Sequence, residues 1–223
     1  MVKQVAALGL GLALSACSLV PASLGGGEPA KVRAASSAPV AISAGARQCL
    51  SQLGKTGSRF SAMPDRYYSA GCSAINAVTI AQLRGDTANF ELANIGPVTC
   101  PTANAFAAWA RYGVDRAARH ILGSALSRIE TMGSYNCRNI AGSSKRSAHS
   151  RAEAIDIAAF VLADGRRISL ASGWNNGSAA ERRFLRVVHS SACKRFGTVL
   201  GPDYNAAHRD HLHLEQGNGS FCR

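Results

Sequence analysis

No two cysteines of this chain stand in a C-x-x-C pair. Structural zinc sites built from thiolates usually rest on such pairs, so their absence argues against one. Acidic residues are also scarce. Lys and Arg outnumber Asp and Glu by 25 to 13, which gives a formal charge of +12. An excess of that sign speaks about anionic partners and says nothing about fold. There is no internal repeat, and the apolar run from Val5 to Leu14 has about ten residues, too few to cross a bilayer.

That short run follows Met-Val-Lys and precedes Ser15-Ala16-Cys17, the layout of a secretory signal. Leu14-Ser15-Ala16-Cys17 resembles a bacterial lipobox, in which the cysteine is acylated and becomes the first mature residue. The expected organisation is a signal peptide over 1–16, lipidation at Cys17 and a flexible tether over 17–45. The tether is rich in Ala, Ser, Gly and Pro, including Gly25-Gly26-Gly27 and Ala34-Ala35-Ser36-Ser37, a composition that cannot bury a core. Ser18 rather than Asp follows the cysteine, and the lipobox resemblance then implies an outer-membrane lipoprotein facing the periplasm. Export removes nucleic acid as a partner and leaves a polyanionic envelope surface as the match for the charge.

The remaining stretch, 46–223, is long enough for one domain with a sizeable core. Its six cysteines, Cys49, Cys72, Cys100, Cys137, Cys193 and Cys222, form an even set, which in an exported chain implies disulfides. Their pairing stays open, with Cys193–Cys222 favoured because it would tie the chain's end to a helix. Thr102 to Tyr112, preceded by Pro101, predicts a helix capped by Thr102, with Ala105, Phe106, Trp109 and Ala110 along one side. A second helix is expected from Val114 to Leu122, ending at Gly123. Leu126 to Met132 reads as a strand. Ala154 to Leu162 and Arg167 to Leu170 flank Asp164-Gly165 and predict a β-hairpin. Ala179 to Phe196 repeats Phe184, Val188 and Ala192 at helical spacing. The predicted class is α+β, with helices packed on a small antiparallel sheet.

Two segments carry the candidate chemistry, and four of the six histidines fall within them. In His208-Arg209-Asp210-His211-Leu212-His213, a strand would turn His211 and His213 to one face. Paired imidazoles on an apolar strand are costly unless something uses them, and a divalent metal is the usual use. In the other segment Asp156 lies between Ile155 and Ile157, where a carboxylate needs a cation or several donors. His149 precedes it by seven residues, enough for a turn to fold it back. Two imidazoles and a carboxylate make a three-ligand zinc set with a fourth position open for water.

Ser147-x-His149-x-x-Ala152-x-Ala154-x-Asp156, followed downstream by His211-x-His213, resembles the metal-binding signature of the LAS peptidases. That superfamily groups D-alanyl-D-alanine carboxypeptidases, L-alanyl-D-glutamate endopeptidases and the metal-binding domain of hedgehog proteins. From Cys49 to Cys222 the chain also resembles the bacterial extensin-like C-terminal domain, through Cys100-Pro101, Tyr135-x-Cys137-Arg138, Phe160-x-x-Ala163-Asp164-Gly165 and Leu200-Gly201-Pro202-Asp203-Tyr204-Asn205. The resemblance implies zinc on His149, Asp156 and His213, with Asp210 and His211 as base and transition-state partner in either order. It implies that Arg138 binds a substrate carboxylate or polarises the scissile carbonyl. His208 would stand behind the ligands, whereas His120 and His189 would be structural. The superfamily usually has Gly where this chain has Ala152, and a methyl there would narrow the approach to the metal or change the backbone. The implied function is a zinc metallopeptidase using metal-activated water on the peptides of peptidoglycan. The alternative is a non-catalytic zinc module that binds those peptides or another envelope protein.

Overall fold

The computed structural model describes residues 43–223; the expected signal peptide, Cys17 and nearly all of the tether lie outside the described residues. In chain order the domain runs α1 (Ala44–Lys55), β1 (Arg59–Ala62), β2 (Arg66–Ser69), β3 (Cys72–Ala74), β4 (Ala77–Arg84), β5 (Asn89–Ala93), β6 (Val98–Thr99), α2 (Cys100–Trp109) and β7 (Leu126–Gly133). There follow β8 (Ala154–Leu162), β9 (Arg167–Ser169), α3 (Leu170–Asn176), α4 (Ala179–Ala192), β10 (Thr198–Leu200), β11 (Leu212–Glu215) and β12 (Phe221–Cys222). No described helix is long and apolar enough to cross a membrane.

The class is α+β, but the sheet is neither small nor purely antiparallel. Ten strands pair in the order β1-β4-β5-β7-β8-β11-β10-β12, with β6 on β4 and β9 on β8. The pairs β5–β7 and β10–β12 are parallel. β2 and β3 form a separate two-stranded hairpin. Much of the additional sheet comes from residues 59–99, whose short strands carry weak alternation: β2 is exposed throughout and β1 nearly so.

The helix expected at Thr102 begins at Cys100 instead, with Thr99 at its cap position and Pro101 in its first turn, where a missing N–H costs nothing. Thr102 is buried and its hydroxyl meets that of Thr99 at 2.7 Å. The chain then stays helical through wider π-type turns at Ala110–Asp115 and Ala118–Leu122, so the two expected helices form one run. Gly123, with φ of +71°, ends it in the left-handed conformation that glycine adopts freely. The run packs on α4 around Trp109, whose ring centroid lies 6.1 Å from Phe160 and 6.4 Å from Phe196. Its indole N–H donates to the Val188 carbonyl at 3.1 Å. Phe184, Leu185, Val188 and Ala192 form the buried face of α4, as their spacing predicts.

The disulfides join Cys49 to Cys100, Cys72 to Cys137, and Cys193 to Cys222. The last is the favoured pair, and it does fasten the chain's end beside α4.

One irregularity in β8 positions everything that follows. Ile155 and Ile157 face the core, and so do Phe160 and Leu162, although the two pairs have opposite parity. Strict alternation would expose one pair. The register against β7 passes from Ala159 directly to Ile157, leaving Ala158 as an extra residue. Such a bulge flips the side-chain pattern, so both apolar pairs reach the core while Asp156 faces away from it.

Candidate metal centre

Asp156 sits directly opposite His213 on the neighbouring strand β11, with Ile157 opposite Leu212 and Ile155 opposite Leu214. The leucines and isoleucines fill the core side of the sheet, so the histidine and the carboxylate meet on the other side. His149 arrives from a tight turn, Ala148–Arg151, which Ser147 caps. Ala152 ends that turn with φ of +57°, the conformation glycine favours, which explains why a glycine suits this position. A residue with a Cβ is strained there by about 1 kcal/mol. The methyl group packs into a small cluster with Ala74, Ala77 and Tyr135.

The three side chains converge on one point. His149 Nε2 lies 3.1 Å from His213 Nδ1 and 3.1 Å from Asp156 Oδ2, and His213 Nδ1 lies 2.9 Å from Asp156 Oδ1. Donor atoms about 2.0–2.1 Å from a tetrahedral ion stand about 3.3 Å from one another, so these separations are close to those a zinc ion requires. The tautomers fit as well. His149 Nδ1 lies 3.0 Å from the Ser134 carbonyl, which only accepts, so the ring proton belongs there and Nε2 presents a lone pair. His213 Nε2 faces the Glu215 carboxylate at 3.3 Å, which favours a proton on that nitrogen and a lone pair on Nδ1. Two imidazole lone pairs and a carboxylate oxygen aimed at one another in a buried pocket repel unless a cation lies between them.

Electrostatics agree. Burial opposes ionisation of Asp156, yet the flanking imidazoles prevail and hold its carboxyl well below the usual carboxylate range. Burial likewise disfavours charge on His213, but Asp156 and Glu215 overcome it and push the ring up to about 9. A proton and a metal ion therefore compete for the same place.

Beside the three, Asp210 Oδ1 accepts from His211 Nδ1 at 2.9 Å, and His211 Nε2 comes within 3.8 Å of Asp156 Oδ1. The His211 bond holds the Asp210 carboxyl below its ordinary value. His211 lies just before β11 rather than on it. His208 packs its ring against His211 at 5.1 Å and His213 at 5.9 Å. Burial and those two neighbours lower it to about 4, so it is neutral at pH 7. Arg138 is exposed at the base of a hairpin-like excursion in which Asn139 bridges Arg146, and its charge is felt at His208. Glu215 escaped sequence reasoning, although His213-x-Glu215 on one strand face was the signal that could have found it. The Ser134 carbonyl carries no side-chain signal at all.

His120 is exposed on the helical run, and His189 is held by the Arg223 carbonyl at 3.1 Å, both away from the centre. Among the described residues a second group, His189 with Cys193 and Cys222, is also close enough to hold an ion. Its sulfurs are joined in a disulfide and are not thiolates, which removes it as a metal site.

No curated protein and no solved structure matches the chain. Residues 47–223, nearly all of the described region, match the family described as extensin-like protein C-terminus, and the chain belongs to that family.

Proposed function

We propose that the domain is a zinc metallopeptidase, related to the LAS peptidases, that acts on peptidoglycan peptides in the periplasm. The observation that carries this reading is the convergence of His149 Nε2, His213 Nδ1 and the Asp156 carboxylate within 3.1 Å, with a second His–Asp pair alongside. When bound, zinc supplies a Lewis acid that brings the pKa of a water molecule toward neutrality. The chain's own residues do the rest. His149, Asp156 and His213 would hold the ion, while Ser134 and Glu215 fix the ring orientations of the two histidines. Asp210 fixes His211 Nδ1 and leaves Nε2 facing the reaction space, so His211 takes the water's proton and later gives it to the leaving amine. Asp210 is the weaker base, because its hydrogen bond to His211 stabilises the charged carboxylate. Arg138 at the rim suits a substrate carboxylate.

The test begins with zinc content of wild type beside His149→Ala and Asp156→Ala, each checked for intact disulfides. Wild type should hold about one zinc per chain and the variants should lose most of it. A wild type that takes up no zinc, nickel or cobalt at neutral pH removes the metallopeptidase reading. His211→Ala should keep zinc and lose about 10²–10⁴-fold in release of wall peptides. Zinc without any turnover by wild type would identify a binding module instead.

A further inference from the structure

The opposite side of the sheet carries a second feature that the metal centre does not use. Two adjoining open hollows of about 340 and 360 Å³ lie here, the first along α4 and Lys194 alone and the second between α4 and the helical run 110–122, and they share Arg183, Val187 and Ser191. At the second, Gly113 lets the two helices approach closely; a methyl there would collide with Ser191 Oγ. The apolar lining is small, with Val187 exposed and Ala117 buried, and the rim is cationic. Arg183, Lys194 and Arg195 are exposed and meet no carboxylate among the described residues. Arg111 and Arg116 share the single carboxylate of Asp86, so that cluster keeps a net positive charge. Three guanidinium groups, those of Arg111, Arg116 and Arg195, surround the exposed Tyr112 ring at 5.2, 4.7 and 6.0 Å.

Unpaired like charges gathered along one groove repel each other and raise the energy of the isolated domain, so they are relieved by an anionic ligand. The amount of exposed apolar surface selects among anions. Only Val187 and the Tyr112 ring are large apolar groups exposed among these cations, far less than the broad apolar face by which a helix lies in a membrane surface. From Arg183 to Lys194 the groove runs about 16 Å at helical rise, the span of about five residues of extended chain.

The metal centre lies on the other side of the sheet. Phe184 of α4 packs on Phe160 of β8 at 5.4 Å, on the core side, while Asp156 and His213 face away from that core. A ligand in the groove therefore leaves the metal centre uncovered. We infer that this groove is a docking site for an extended, carboxylate-bearing cell-wall polymer, holding the domain on the wall while the opposite face works on a separate peptide. The choice of polymer rests on the envelope setting proposed above; the groove itself does not depend on the metal.

The test is co-sedimentation of the full chain with purified peptidoglycan sacculi at low and high salt. Wild type and Asp156→Asn should both pellet, with binding that falls as salt rises. Arg183→Glu/Lys194→Glu should bind at least tenfold less while keeping the zinc content of wild type, and Arg183→Gln/Lys194→Gln should fall between. Phosphatidylglycerol vesicles form the comparison arm. The inference is overturned if wild type stays in solution, if the double charge reversal pellets like wild type, or if the reversal weakens vesicle association and not sacculus binding. Loss of pelleting in Asp156→Asn would also overturn it, since wall binding would then belong to the metal centre. Zinc content separates the two ideas: its absence would sink the peptidase reading and leave the groove standing.

Discussion

At the residue scale, the candidate centre is defined by what stands behind His149, Asp156 and His213 as much as by those three. His213 is held above its ordinary value of 6.5, at about 9, by Asp156 and Glu215. In the metal-free protein its stabilising contribution is therefore complete below about 6.5 and is lost as pH rises through about 9. Asp156 runs the other way: its contribution is present above 3.8 and is lost as pH falls below that value. Under the proposed reading a zinc ion would have to displace the His213 proton, so its apparent affinity should rise by about tenfold per pH unit between pH 6 and 8. Competition with a chromogenic chelator at several pH values would measure it, and a flat profile would mean that His213 is no ligand. Glu215→Gln removes the carboxylate behind His213 and should weaken zinc by about 10–100-fold without unfolding the domain. The same titration reads that loss.

Elements bring these residues together through defects in otherwise regular structure. The extra residue Ala158 in β8 lets four large apolar side chains reach the core while Asp156 points out of it. The left-handed Ala152 turns the chain from the His149 loop into the same strand. The hairpin β2–β3 braces that loop from outside: Cys72 bonds to Cys137, Ser150 Oγ donates to the Gly71 carbonyl at 3.0 Å, and Arg146 donates to that of Ala70 at 2.8 Å. Replacing Cys72 and Cys137 by Ser should cost about 2–5 kcal/mol of stability. It should also weaken zinc, because His149 loses its brace. Replacing Cys193 and Cys222 should cost similar stability and leave zinc affinity unchanged. Denaturant midpoints and chelator competition on both pairs would check this, and equal zinc affinity in the two would show that the hairpin does not position His149.

At the scale of the whole molecule, the fold should stand without a metal. A core running from Leu53 to Leu214 and three disulfides hold it together. Chelation should therefore leave the far-UV spectrum unchanged. Free zinc at about 100 times its Kd should add about 2.7 kcal/mol, or about 5–11 °C in melting temperature for a domain of this size. Unfolding on chelation would instead make the centre structural. The sheet separates the candidate centre from the cationic groove, so substitutions at one should leave the other unchanged.

Local chemistry made part of this legible without coordinates. Helical spacing identified α4, apolar composition and the Asp164-Gly165 turn identified β8 and its hairpin, and an even cysteine set announced disulfides. The candidate ligands were legible because charge and imidazole are expensive on apolar strands. Other features came only from tertiary structure, since they depend on which strand lies beside which. The sequence brought Asp156 and His213 to one site but carries no sign that they are directly opposed on neighbouring strands, that the Ser134 carbonyl sets the His149 tautomer, or that Cys72 finds Cys137. The short exposed strands of residues 59–99 likewise take their conformation from neighbours, because their own side chains bury too little to demand it.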